Sequence, residues 1–185
     1  MPREPNKRER LLSAANNSFI QIGTNNTTFS IIAEKADVPS GNVYYYFKNK
    51  EAMIDGVIEE KNKDVDELLE QINNSHQAPK DRLQAFIKAF FDKSENSKQL
   101  GASITFLNYE LTMDGGENYN KIDELTKTLI NWCAKQFETL GKGDFSNQFA
   151  INLLISLQGT CVMERRTNNE NLIVEQTNFI GQTFV

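Results

Sequence analysis

The sequence predicts an all-α fold, and three observations carry that prediction. Apolar residues recur at spacings of three and four along almost all of the 185 residues. No segment alternates apolar and polar residues in the manner of a half-buried strand. The interruptions are short clusters such as Asn73-Asn74-Ser75, Asp114-Gly115-Gly116 and Gly141-Lys142-Gly143, which stop one helix and start the next without a long linker.

In chain order, Leu12, Ala15, Phe19 and Ile22 give a helical stripe from about Lys7, and Gly23 is placed to end it. From Thr28 to Lys50 the pattern is two short helices and a tight turn. Phe29, Ile32, Ala33 and Ala36 fall at i, i+3, i+4 and i+7 and face inward. Val38 anchors the turn, Pro39 enters the second helix, and Val43 and Phe47 are that helix's inward pair. A polar-rich helix follows from Glu51 to about Asn73, its buried set drawn from Met53 or Ile54, Val57 or Ile58, Val65, Leu68, Leu69 and Ile72. The next starts near Pro79 with Leu83, Phe86, Ile87, Phe90 and Phe91 inward. Gly101 to Met113 reads as a short apolar helix, and Ile122, Leu125, Leu129, Trp132 and Phe137 mark a longer one. Phe145 to Arg166 is apolar on more than one face, the pattern of a helix with neighbours on two sides. Leu172, Ile173, Gln176, Phe179 and Ile180 supply a last amphipathic helix after Asn168-Asn169, for about nine helices in all.

The stretch from Thr28 to Lys50 points to DNA. If Val43 is inward and each residue turns by about 100°, Gly41 and Tyr45 lie farthest outward, flanked by Asn42 and Tyr44. Gly41 lets a backbone approach closely, and the Asn42 amide can both donate to and accept from a base edge. Tyrosine hydroxyls suit phosphate oxygens and their rings suit a thymine methyl, while Lys48 and Lys50, just past the helix, can neutralise backbone phosphates.

Composition sets the outer limits. With 39% hydrophobic and 24% charged residues the chain is globular, and no apolar run approaches the roughly 18 residues of a spanning helix. The polar amino terminus has no signal-peptide pattern, so a cytoplasmic location without membrane partners is expected. The net charge of −5 divides unevenly: residues 1–50 hold seven Lys/Arg against four Asp/Glu, or +3, which leaves −8 for the rest. A basic head on an acidic body confines contact with DNA to the head.

These residues resemble the DNA-binding domain of the TetR/AcrR family of bacterial transcriptional regulators. The resemblance covers about the first fifty residues and rests on Thr28, Ile32-Ala33, Val38, Gly41, Val43, Tyr44, Phe47, Lys50 and Glu51, in the family's order and spacing. Two positions depart from it. Asp37 stands where the family commonly has Gly in a left-handed turn, and Pro39 where it often has a capping Ser. The resemblance implies a three-helix helix-turn-helix head at 1–50 and a ligand-binding and dimerisation body at 51–185. It also implies that Asn42 and Tyr45 lie at bases with Ser40 beside them, and that Tyr44, Tyr46, Lys50 and Thr28 hold phosphates. Arg3, Lys7 and Arg8 would add a basic arm. The expected partners are palindromic double-stranded operator DNA, a second copy joined through the last two helices, and a small-molecule effector, with no cofactor.

For the effector, Phe86, Phe90, Phe106, Tyr109, Trp132 and Phe149 lie on the segments that enclose the pocket in such proteins, where each is either core or lining, and Asn108, Glu110 and Gln158 are polar candidates. Cys133 and Cys161 sit on apolar helices and read as buried and inert. An enzyme is the competing class, but His76 is the only histidine and lies in the polar break SHQAP, and neither a P-loop nor a dinucleotide fingerprint nor a metal-binding histidine pair occurs. A third reading is a helical adaptor whose head has lost DNA and whose body binds protein partners.

Overall fold

A computed structural model describes residues 6–92, 99–114, 117–169 and 171–184. Arg3, the Gly115-Gly116 break and Glu170 lie outside the described residues. Among the described residues there are nine α-helices, one 3-10 turn and no strand. In order the helices are α1 (Lys7–Ile22), α2 (Phe29–Lys35), α3 (Ser40–Tyr46), α4 (Lys50–Ser75), α5 (Pro79–Phe90), α6 (Leu100–Asp114), α7 (Glu117–Thr139), α8 (Ser146–Thr167) and α9 (Asn171–Phe184). None is long and apolar enough to cross a membrane.

The chain divides into two compact units, one made of Met1–Asn62 with Phe106–Ile122, the other of Lys63–Thr105 with Asp123–Val185. Compactness therefore partitions the chain differently from the division at residue 50 that the family resemblance implies, and α4, α6 and α7 each contribute to both units.

In the first unit α1 starts at a capping box, in which Asn6 Oδ1 accepts from the Glu9 N–H and Glu9 Oε2 accepts from the Asn6 N–H. Gly23, at φ 83, ends the helix and donates its N–H to Phe19 O. Leu11, Leu12, Ala15 and Phe19 are buried. Ile22, expected in the stripe, is 39% exposed because it is the last helical residue and the chain turns away after it. At seven residues each, α2 and α3 are too short to hold themselves together in water. Their stability comes from burying Ile32, Ala33, Val38, Val43 and Phe47 in the first unit, in which Leu12, Met53 and Val57 are also buried.

In the second unit the approach of α5 to α6 is set by Gly101, where an added Cβ would lie 2.1 Å from the Phe90 carbonyl oxygen. Arg82 on α5 donates from Nε to His76 O at 2.8 Å and from Nη2 to Asn73 O at 3.3 Å, which closes the carboxyl end of α4. α8 ends at Asn168 in the left-handed region (φ 49), at the break expected at Asn168-Asn169, and α9 packs on both α8 and α5. Four apolar side chains of α8 and α9 remain strongly exposed: Ile155 at 62%, Met163 at 50%, Val174 at 62% and Phe179 at 60%.

Candidate nucleic-acid interface

The reader is built on a division of α3 into two faces. Val43 (0% exposed) and Phe47 (3%) point into the first unit, whereas Tyr45 is 83% and Tyr44 66% exposed. Ser40 and Gly41 are exposed on the same outward side, and Asn42 and Tyr46 are half-buried at its edges. An added Cβ at Gly41 would meet nothing within 4 Å, so the backbone there is open to a close approach.

The tyrosines are braced differently. Tyr44 packs edge-on against Phe29 of α2 at 5.2 Å, while Tyr45 and Tyr46 stand at 89° with centroids 5.0 Å apart. Tyr45 therefore projects into solvent beside the Tyr46 ring.

The turn before α3 has the conformation the sequence predicts for a Gly-like position, with Asp37 at φ 50. Val38 N–H donates to Ala33 O at 3.0 Å and closes the turn. Pro39 caps α3 without a side-chain hydrogen bond, and the Asn42 N–H reaches the Pro39 carbonyl at 2.8 Å. The missing serine is thus covered by backbone. Thr28 caps α2, its Oγ1 accepting from the Ile31 N–H at 3.3 Å, which leaves the hydroxyl proton to donate outward.

The cations separate into two kinds. Lys48 is exposed. Lys50 is half-buried and donates from Nζ to Thr24 O at 2.8 Å and to Asn25 O at 3.3 Å, so its ammonium ties the start of α4 to the α1–α2 turn. Arg8, expected in an arm, is part of α1; its guanidinium lies 5.5 Å over the Phe47 ring and 3.8 Å from Glu59.

Two positioning contacts went unread in the sequence. Asn49 Oδ1 accepts from the Ala52 N–H at 2.9 Å and caps α4, a role its place before Lys50-Glu51 could have suggested. Glu110 on α6, a polar candidate for the effector, instead accepts from the Thr24 N–H at 2.6 Å, and no sequence signal links those two positions.

The effector candidates fall in both units. Phe86 and Phe90 are buried core in the second, with Phe86 5.9 Å from Phe90 and 5.6 Å from Trp132, whose Nε1 donates to Asn73 Oδ1 at 3.2 Å. Phe149 packs on Phe137 at 5.5 Å and carries Lys142 Nζ 4.7 Å over its ring. Phe106, in the first unit, is half-buried, and Tyr109 on the same helix is 69% exposed, so it is not core. Asn108 and Gln158 are half-buried. Cys133 and Cys161 are buried, and burial pushes the Cys133 thiol well above its ordinary range.

Comparison with known proteins places this geometry. The sequence profile of the family described as bacterial regulatory proteins, tetR family, matches residues 11–57. The HTH-type transcriptional regulator BetI of Stenotrophomonas maltophilia (strain R551-3) is 29% identical over 105 residues, covering 56% of this chain and 54% of that protein. The fatty acid metabolism regulator protein of Bacillus subtilis (strain 168) is 30% identical over 122 residues, covering 66% of this chain and 61% of its own length. The chain thus spans only between about half and three fifths of these relatives. A crystal structure of a TetR transcriptional regulator from Legionella pneumophila superposes with a TM-score of 0.85 over 99% of both chains at 24% identity, which establishes the fold.

Proposed function

The chain belongs to the tetR family of bacterial regulatory proteins through residues 11–57, and from that premise we propose that it is a cytoplasmic DNA-binding transcriptional regulator that blocks a promoter as a dimer and is released by a small apolar or aromatic ligand. The observation that carries the reading is the two-faced α3, with Val43 and Phe47 inside and Gly41, Tyr44 and Tyr45 presented to solvent. The functional reader is residues 1–50. Asn42 and Tyr45 read base edges in the major groove, and Ser40 joins them. Tyr44, Tyr46, Thr28, Lys48 and the remaining ammonium donor of Lys50 hold the phosphates.

Dimerisation through α8 and α9 is supported by the apolar side chains that the single chain leaves in water. Ile155, Gly159, Val162 and Met163 stand at i, i+4, i+7 and i+8 on one face of α8, all exposed, and a Cβ at Gly159 would meet nothing within 4 Å. Such a stripe, with a small residue at its centre, suits close packing against a symmetry-related helix. A two-fold dimer offers two α3 helices to successive major grooves of a palindromic site. The ligand prefers a body conformation whose heads do not match that spacing, so it shifts the population away from DNA.

The test is an electrophoretic shift with the intergenic DNA beside the protein's own gene, repeated with apolar and aromatic ligands. A regulator gives a specific complex that a ligand dissolves. A folded dimer that shifts no DNA would overturn the proposal, and capture of a protein partner by that same species would favour the adaptor instead.

A further inference from the structure

Arg10 lies on α1, outside the outward face of α3, yet its guanidinium donates to two backbone carbonyls of the turn between α2 and α3. Its Nε donates to the Ala36 carbonyl at 2.9 Å, and its Nη2 donates to the Asp37 carbonyl. Ala36 is the C-cap of α2 and Asp37 is the left-handed residue that follows it, at φ 50. The guanidinium therefore sits where the last carbonyls of a helix lack intrahelical partners and where the helix dipole favours a cation. The Asp37 carboxylate is 3.7 Å away, but its side chain is fully solvent-exposed, so that ion pair contributes little.

We propose that Arg10 is the positioning residue of the reader: it holds the Ala36–Asp37 peptide in the left-handed turn that a glycine would adopt unaided, and so fixes the angle at which α3 leaves α2. A residue with a Cβ at positive φ resists that conformation, Asp less than most. Two charge-assisted hydrogen bonds from α1 to the carbonyls on either side of the turn offset that resistance. Because α2 and α3 are joined only by residues 36–39, a change at Asp37 rotates the whole outward face. Arg10 lies along a shallow cleft of about 390 Å³ lined by Ser13, Asn17 and Lys35, among others, so an unbranched side chain of similar length replaces it without a clash.

For its DNA arm the proposal rests on the reading of α3 given above; its structural arm does not. The experiment compares the full-length wild type with Arg10→Met, Arg10→Lys, Asp37→Gly, Asp37→Asn and the double variant Arg10→Met/Asp37→Gly. Hydrogen exchange is followed at the Val38 amide that closes the turn, with the Ile58 amide as the control for global opening. Affinity for specific and scrambled duplex is measured at two salt concentrations. Arg10→Met is expected to speed Val38 exchange and to weaken specific binding by about tenfold each, with Ile58 exchange and the salt slope unchanged. Asp37→Gly recovers most of both losses in the double variant, Arg10→Lys loses less than Arg10→Met, and Asp37→Asn behaves as wild type. Equal cost of Arg10→Met in the two backgrounds overturns the proposal, because additivity means the two positions do not act on one turn. A salt slope reduced by about one overturns it too, because Arg10 is then a phosphate contact. If the wild type binds no DNA, the DNA-reading proposal fails by itself and the exchange arm still decides the role of Arg10.

Discussion

Replacing Tyr45 with Ala separates reading from folding more cleanly than any other single change. The side chain is 83% exposed and its one ring neighbour is Tyr46 at 5.0 Å, so its removal takes almost nothing from the interior. Substitutions at such positions shift stability by no more than about 0.5 kcal/mol. On a specific duplex the same change removes a ring and a hydroxyl from the surface proposed to face the bases, an expected loss of about 1–3 kcal/mol, or roughly 5- to 140-fold in Kd. Val43→Ala, two positions earlier on the same helix, gives the opposite partition. Val43 is completely buried, and deleting its methyl groups costs roughly 1.5–3 kcal/mol of folding free energy.

The assay pairs fluorescence-anisotropy titration on the intergenic duplex and on a scrambled duplex with urea unfolding of each variant. Tyr45→Ala is expected to keep the wild-type urea midpoint and lose affinity on the specific duplex alone. An unchanged Kd on the intergenic duplex refutes the assignment of the outward face. An equal loss on both duplexes refutes base reading and moves Tyr45 to the phosphate class.

Three further outcomes follow from particular contacts. Lys48→Ala lowers the salt slope of binding by about one without changing stability, whereas Lys50→Met lowers unfolding free energy by about 1.5–3 kcal/mol because the Thr24 and Asn25 carbonyls lose their cation; equal urea midpoints for the two variants would contradict the tie. Ile155→Asp puts a charge in the exposed stripe of α8 and should yield single-chain mass in sedimentation equilibrium where the wild type sediments as two chains, and a variant that stays dimeric removes α8 from the interface. Burial raises the Cys133 thiol above its ordinary value of 9.0, so the neutral form is favoured in the fold and the resulting stability, full below that value, is lost as pH rises past it. Native protein at pH 8 is therefore expected to leave Cys133 unlabelled by a thiol reagent that reacts after urea is added, and the fall in urea midpoint toward pH 10 should be smaller in Cys133→Ala.

What was legible in the sequence is what depends on neighbours along the chain. Val43 and Phe47 declare an inward pair by their spacing, Gly23 declares a stop, and Asn168-Asn169 declares a break between helices, all within one or two helical turns. Position 37 was legible as a left-handed turn only through the family resemblance, which places a glycine there, and Asp tolerates that conformation better than most residues. The side of α6 on which Tyr109 lies could not be read because polar and apolar residues are mixed around that helix. Leu100, Ile104, Leu107 and Leu111 are buried, and no polar face exists to show which side of the helix meets solvent. Ile22 was misplaced for a different reason: periodicity continues to the last helical residue, but the surface that buries it does not.

What was not legible is how distant residues hold the reader in shape. The Thr24 peptide is gripped on both sides, its N–H by Glu110 and its carbonyl by Lys50. Gly56 brings α4 so close that an added Cβ would lie 2.9 Å from Leu12 Cδ2 and 3.2 Å from Phe47 Cε1. Met53, Val57 and Ile58, all completely buried, complete the same interior. Lys121 pairs with Asp55, and Asn118 Nδ2 donates to Glu51 O at 3.3 Å, which fastens the start of α7 to α4. Two seven-residue helices cannot supply this by themselves, because nucleating each costs more than its few hydrogen bonds return. The residues proposed to touch DNA are thus confined to a short stretch, but the contacts that hold that stretch extend through α4 and the 106–122 segment, where a single sequence gives no sign of which side chain meets which.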